Sequence, residues 1–70
     1  MRRYAVKINR LYNAFDAYVA VETVLYRHKH GVWQPIERHV FDTSLSRMIG
    51  QMRAQWLADK WCRMFNAERW

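Results

Sequence analysis

Seventy residues carrying a formal net charge of +6 leave room for one domain, residues 1–70, built around a single thin core. A chain this small buries only about 60% of the surface its unfolded form exposes, so it is marginal without a disulfide, a metal or a partner. The lone cysteine, Cys62, excludes an internal disulfide, and a hydrophobic content of 51% excludes a disordered chain.

The first residues, Met1-Arg2-Arg3, are basic, but Lys7, Arg10 and Asp16 interrupt any signal-peptide core. The longest apolar region, 14–26, contains Asp16 and Glu22 and falls short of the roughly 20 residues a membrane span needs. The expected location is the cytoplasm, the host cytoplasm if the chain is viral, with no membrane partner.

The segment 3–10 alternates polar and apolar residues. Tyr4, Val6 and Ile8 share one face while Arg3, Lys7 and Asn9 point the other way, which predicts a strand. Asn13 and Asp16 mark a turn. The next segment, 17–28, is rich in β-branched and aromatic residues and predicts a second strand. One of its faces carries Val19, Val21, Thr23 and Leu25, the other Tyr18, Glu22, Val24 and Tyr26. A helix is the rival reading, because Leu11, Phe15, Val19 and Glu22 fall at helical spacing. Crowding of β-branched side chains at χ1 counts against it. Lys29-His30-Gly31 reads as a hairpin turn. A third strand follows over 32–41, with Trp33, Glu37, His39 and Phe41 on one side, and Pro35 assigns it to an edge or to a bulge.

Asp42, Thr43 and Ser44 are each good N-caps, and a run of helix formers continues to Glu68 or beyond. The expected fold is therefore α+β: a three-stranded antiparallel sheet over 1–41, then one long helix over 42–70 packed on one face of the sheet (β-β-β-α). At 100° per residue, Leu45, Met48, Ile49, Met52 and Trp56 form one stripe. Leu57, Trp61, Met64 and Phe65 form another, rotated well away from it, so the two halves of the helix are expected to pack against different things. A helix over 44–68 would run about 37 Å beside a body roughly 28 Å across. Its last turns would overhang, or would fold back at a break near 56–60.

No constellation for catalysis is present. Ser44, Ser46 and Cys62 lie in the helical segment, no Gly-rich phosphate loop exists, and Asp16, Glu22 and Glu37 are isolated in sequence. His28, His30, His39 and Cys62 match no zinc spacing. The expectation is a non-enzymatic binding module with no cofactor, no metal and no small-molecule substrate.

A pI near 10.1 makes a polyanion the natural partner, either nucleic acid (DNA or RNA) or an acidic protein surface. Arg27, His28, Lys29 and His30 gather cations at the hairpin tip, and Arg2, Arg3 and Lys7 add a basic arm. Together these seven are the candidate phosphate contacts. Tyr18, Tyr26, Trp33 and Phe41 would share a sheet face able to stack on bases. The alternative is an inhibitor that blocks a protein partner, acting alone or as a homodimer through Leu57, Trp61, Met64, Phe65 and Trp70. Trp is a common interface anchor.

The order strand, strand, strand, helix, with Phe41-Asp42-Thr43 leading into the helix, resembles the ethylene-response-factor domains of plants and the arm-binding domains of phage integrases. That resemblance implies a three-stranded sheet laid in the major groove. The departure lies in the central strand, where Tyr18, Ala20, Glu22, Val24 and Tyr26 stand at positions that carry arginines and tryptophans in those domains. In size and in its lack of catalytic residues the chain is also similar to small phage-encoded inhibitors, including anti-CRISPR proteins, which act by occluding a host protein.

Overall fold

The computed structural model describes residues 3–70. Three strands come first: β1 (Tyr4–Tyr12), β2 (Tyr18–Lys29) and β3 (Val32–Asp42). A helix, α1 (Arg47–Phe65), follows, and a two-residue strand, β4 (Glu68–Arg69), ends the chain. The strands lie in the order β3-β2-β1-β4, the first three antiparallel and β4 parallel to β1. This is the expected α+β arrangement, three antiparallel strands and one helix packed on a single face, with β4 as a small addition. The Cα envelope measures 38 × 24 × 15 Å, so the molecule is two layers thick and the second face of the sheet has no layer over it.

Segment 17–28 is a strand from Tyr18 onward, not a helix, and it occupies the middle of the sheet. Its residues 21–25 are all buried. The β2–β3 hairpin closes with His30 and Gly31 at φ of 55° and 77°, two consecutive left-handed residues as a type I′ turn requires. Between β1 and β2, the Asn13 side-chain oxygen accepts from the N–H groups of Phe15 and Ala17.

Two one-residue irregularities re-aim the side chains of the sheet. In β2 the register skips Val19, since Leu11 pairs with Ala20 but Tyr12 pairs with Tyr18. In β3 it skips Ile36, since Leu25 pairs with Glu37 but Tyr26 pairs with Pro35. Each extra residue reverses the alternation beyond it. Tyr18 and Phe41, expected on the open face with Tyr26 and Trp33, therefore stand on the helix side. The spare carbonyl of Val19 accepts the N–H of Thr43 at 3.1 Å, which ties the start of the helical connection to the first bulge.

The helix is shorter than the expected 42–70. Ser46 is its N-cap, accepting from the Ile49 N–H, in place of Asp42, Thr43 or Ser44. Asp42 caps a turn instead, accepting from the Ser44 N–H at 2.8 Å. At the other end Asn66 adopts the left-handed conformation and returns its N–H to Cys62. The chain turns back there, ten residues beyond Trp56, and not at a break near 56–60.

The packing of α1 also differs from expectation. One continuous face is buried, and its first half is made of Gly50, Ala54 and Ala58. Ala58 joins Val6, Leu25 and Ala67 in the core, with Tyr4, Ile8, Trp61, Cys62 and Phe65 packed around them. Small residues let the helix backbone approach the sheet closely enough for Thr23 to hydrogen-bond it. Of the expected stripe, Met48, Ile49, Met52 and Trp56 lie on the side of α1 away from its buried face and are exposed, while Leu45, also exposed, precedes the N-cap and is not part of the helix. No described helix is long and apolar enough to cross a membrane.

Candidate nucleic-acid interface

Pairing and alternation define the face of the sheet away from α1. In β1, Lys7 and Asn9 point to it; in β2, Glu22, Val24, Tyr26 and His28 do so, opposite Trp33, Pro35, Arg38 and Val40 of β3. The tail supplies one more ring. Trp70 donates its backbone N–H to Val6 at 2.8 Å, and its ring packs 5.0 Å from both Tyr26 and Trp33. His28 continues the row, 4.9 Å from Trp33. The four rings span β2, β3 and the tail as one contiguous platform. Trp70 Nε1 donates to Glu68 at 2.6 Å, which fixes the orientation of the ring in a residue that is 46% exposed.

Cations border this platform. Lys7 is exposed on β1, and the N–H of His28 donates to the Arg3 carbonyl at 2.7 Å, which sets Arg3 beside the platform. Near the centre of the face, Glu22 is buried and is engaged by the Arg38 guanidinium and by Asn9 Nδ2. Its negative charge is thus neutralised locally, at the expense of Arg38 as a free cation.

The seven expected phosphate contacts are accordingly divided. Arg3, Lys7 and His28 gather on the open face. Arg27 and Lys29 alternate to the helix side, exposed, and His30 sits at the turn. Arg2 lies outside the described residues. The five expected interface anchors also separate. Trp61 and Phe65 are half-buried against the core, with Phe65 5.0 Å from Tyr4, and Leu57 is half-buried. Met64 is exposed, and Trp70 belongs to the opposite side of the sheet.

A second basic-aromatic group has no counterpart among the expected sites. The bulge at Val19 turns Tyr18 towards α1, where its hydroxyl accepts from Gln51 Nε2 at 3.1 Å. Arg10 and Arg47 stand over its ring at 5.7 and 5.4 Å from the centroid. Beside it runs an open cleft of about 680 Å³, walled in part by Ile8, Met52, Gln55 and Trp56. Arg10 and Arg47 are 37 residues apart in sequence, and only the bulge brings Tyr18 between them. Repeated spacing along the chain holds no sign of it.

Among the described residues no three His, Cys, Asp or Glu side chains gather in a way that would hold a metal ion. The backbone N–H of Ser44, and then its side chain, hold the Asp42 carboxyl below the ordinary aspartate value. Comparison of the chain with protein-family models, with curated proteins and with solved structures yields no match.

Proposed function

We propose that the protein is a non-enzymatic nucleic-acid-binding module that uses the open face of its sheet. The observation that carries this reading is the contiguous platform of Tyr26, His28, Trp33 and Trp70 bordered by Arg3 and Lys7. Aromatic rings stack on any base, and each stacked base is worth about 1–3 kcal/mol. Lysine and arginine beside the rings contact phosphate without reading sequence. A chain with a formal charge of +6 draws polyanions to such a face. The hairpin tip, with Arg27, Lys29 and His30, extends the basic surface past the end of the platform.

Single strands suit this arrangement better than the duplex groove suggested by sheet-type DNA readers. Rings lying in the surface of a sheet stack on unpaired bases, whereas groove reading needs long polar side chains, and the centre of this face holds Glu22 already bound to Arg38. The test is fluorescence anisotropy with labelled single-stranded and duplex oligonucleotides over a range of salt. Binding should be tighter to single strands and should weaken linearly with log salt. Absence of binding to either at low salt would overturn the proposal.

A further inference from the structure

We infer that the outward stripe of α1 is the seat of a second copy of this chain, which docks on it as an antiparallel helix pair about a two-fold axis. Leu45, Met48, Ile49, Met52 and Trp56 are 99, 71, 53, 63 and 61% exposed. At about 200 Å² for each residue, these exposures amount to roughly 700 Å², backbone included. The largest apolar patch on an ordinary monomer is about 300–600 Å², and each partner in a stable interface contributes about 800 Å². The stripe is thus at the upper end of what a monomer leaves open and close to one half of a dimer contact.

The spacing identifies the occupant. On α1, Ile49, Met52 and Trp56 follow one another at intervals of three and four residues, the seam spacing that packs helix against helix. Leu45, just before the N-cap Ser46, walls one pocket with Ile49 and extends the apolar surface past the helix start. A two-fold axis brings the same surface to both sides of a contact. In the antiparallel setting Leu45 meets Trp56 of the second copy and Ile49 meets Met52, so every seam residue has an apolar partner. No seam position is itself charged; the Lys60 ammonium stands 5.3 Å from the Trp56 ring centroid at one end of the seam, and on the flank Arg53 falls opposite Ser46 of the second copy, so like charges do not face each other. Strand pairing is discouraged at one edge of the sheet, where β3 carries Pro35, a bulge at Ile36 and the charged Glu37 and Arg38.

The dimer does not depend on the proposed function, since it buries the helix and leaves the open sheet faces outward on its two sides. Sedimentation equilibrium over a wide range of protein concentration tests it. The intact chain should fit a monomer–dimer equilibrium that tightens as salt rises, because the burial is apolar and the subunits are both cationic. Met52→Glu, at an exposed position, should keep the circular dichroism of the parent and raise the dissociation constant at least about a hundredfold by burying an unpaired carboxylate. Ile36→Glu on the β3 edge should leave the equilibrium unchanged. In an equimolar mixture of Leu45→Cys and Trp56→Cys chains, both also carrying Cys62→Ser to remove the native thiol, a short bis-maleimide should join the two variants to each other in preference to themselves. A chain that is monomeric at every concentration, a dimer that survives Met52→Glu, a dimer lost in Ile36→Glu, or Leu45→Cys joined chiefly to itself would each overturn the inference.

Discussion

The hydroxyl of Thr23, at the centre of β2, donates to the carbonyl oxygen of Ala54 in α1 at 3.0 Å, and both residues are fully buried. A side chain of the sheet can reach the backbone of a helix only when nothing larger than a methyl group stands between them. The buried run of Gly50, Ala54 and Ala58 supplies that clearance. The bond therefore explains why the helix turns its small residues inward and its large ones outward.

Thr23→Val keeps the shape and removes the donor, so it should cost about 1 kcal/mol. Ala54→Leu should cost more, about 1–3 kcal/mol, because it forces the layers apart. Urea denaturation of the two variants measures both. A cost for Ala54→Leu no greater than that for Thr23→Val would refute close approach as the reason for the small face.

Gly50 makes the same point at the start of the helix. A methyl group there would stand 2.6 Å from Thr43 Cγ2 and 3.2 Å from the Asp42 carbonyl. Helix propensity alone favours Gly50→Ala by about 0.8–1 kcal/mol, and overpacking opposes it by about 1–3 kcal/mol. Net destabilisation is expected, visible as a lower denaturation midpoint with an unchanged slope.

Thr43 also carries a buried hydroxyl, Oγ1, with no hydrogen-bond partner. Thr43→Val removes that polar atom at nearly constant volume, so stability should rise by about 1 kcal/mol. Thermal melts monitored by circular dichroism decide the direction.

The acid response should involve Asp42. Its carboxyl is held below the ordinary value by the Ser44 N–H, so the folded state binds the proton less readily than the unfolded one. Stability from this source is fully present above the ordinary aspartate pKa and is lost as pH falls through the lowered value. Asp42→Ala should therefore differ from the parent at neutral pH, and the difference should shrink in acid. Chemical denaturation repeated across the acid range checks this, and a gap that stayed constant would overturn it.

On the open face, Trp33→Ala should weaken single-strand binding by about 1–3 kcal/mol with little change in salt dependence. Lys7→Glu should weaken binding to all sequences and make the salt slope shallower by about one ion. If the two variants changed affinity and slope alike, the division of labour between rings and cations would be wrong.

Strand and turn chemistry was legible from the residues because it is local. Alternation in 3–10, β-branched density in 17–28 and the His30-Gly31 turn each act within a few positions, and all three elements form where they are expected. Face assignment was legible only as far as the alternation ran unbroken. Tyr26 and Trp33 lie on the face expected for them, while Tyr18 and Phe41, beyond Val19 and Ile36, do not. A bulge depends on the pairing of two strands: nothing in the residues around Val19 marks the first, whereas Pro35 marked β3 as an edge or bulged strand, and it is both. Trp70 was out of reach for a similar reason: its place on the platform follows from the reversal at Asn66, and helix-forming composition continues past that point.

By itself the sequence determined the α+β fold, the order of its elements and an excess of positive charge, because local propensity, periodicity and ionisation need no knowledge of the neighbours. Tertiary structure alone decided which helix face is buried. Periodicity locates large apolar residues but cannot tell a stripe that packs inward from one that stays out. That choice belongs to the sheet, which admits glycine and alanine against Thr23 and Thr43 and leaves leucine, methionine and tryptophan on the outside.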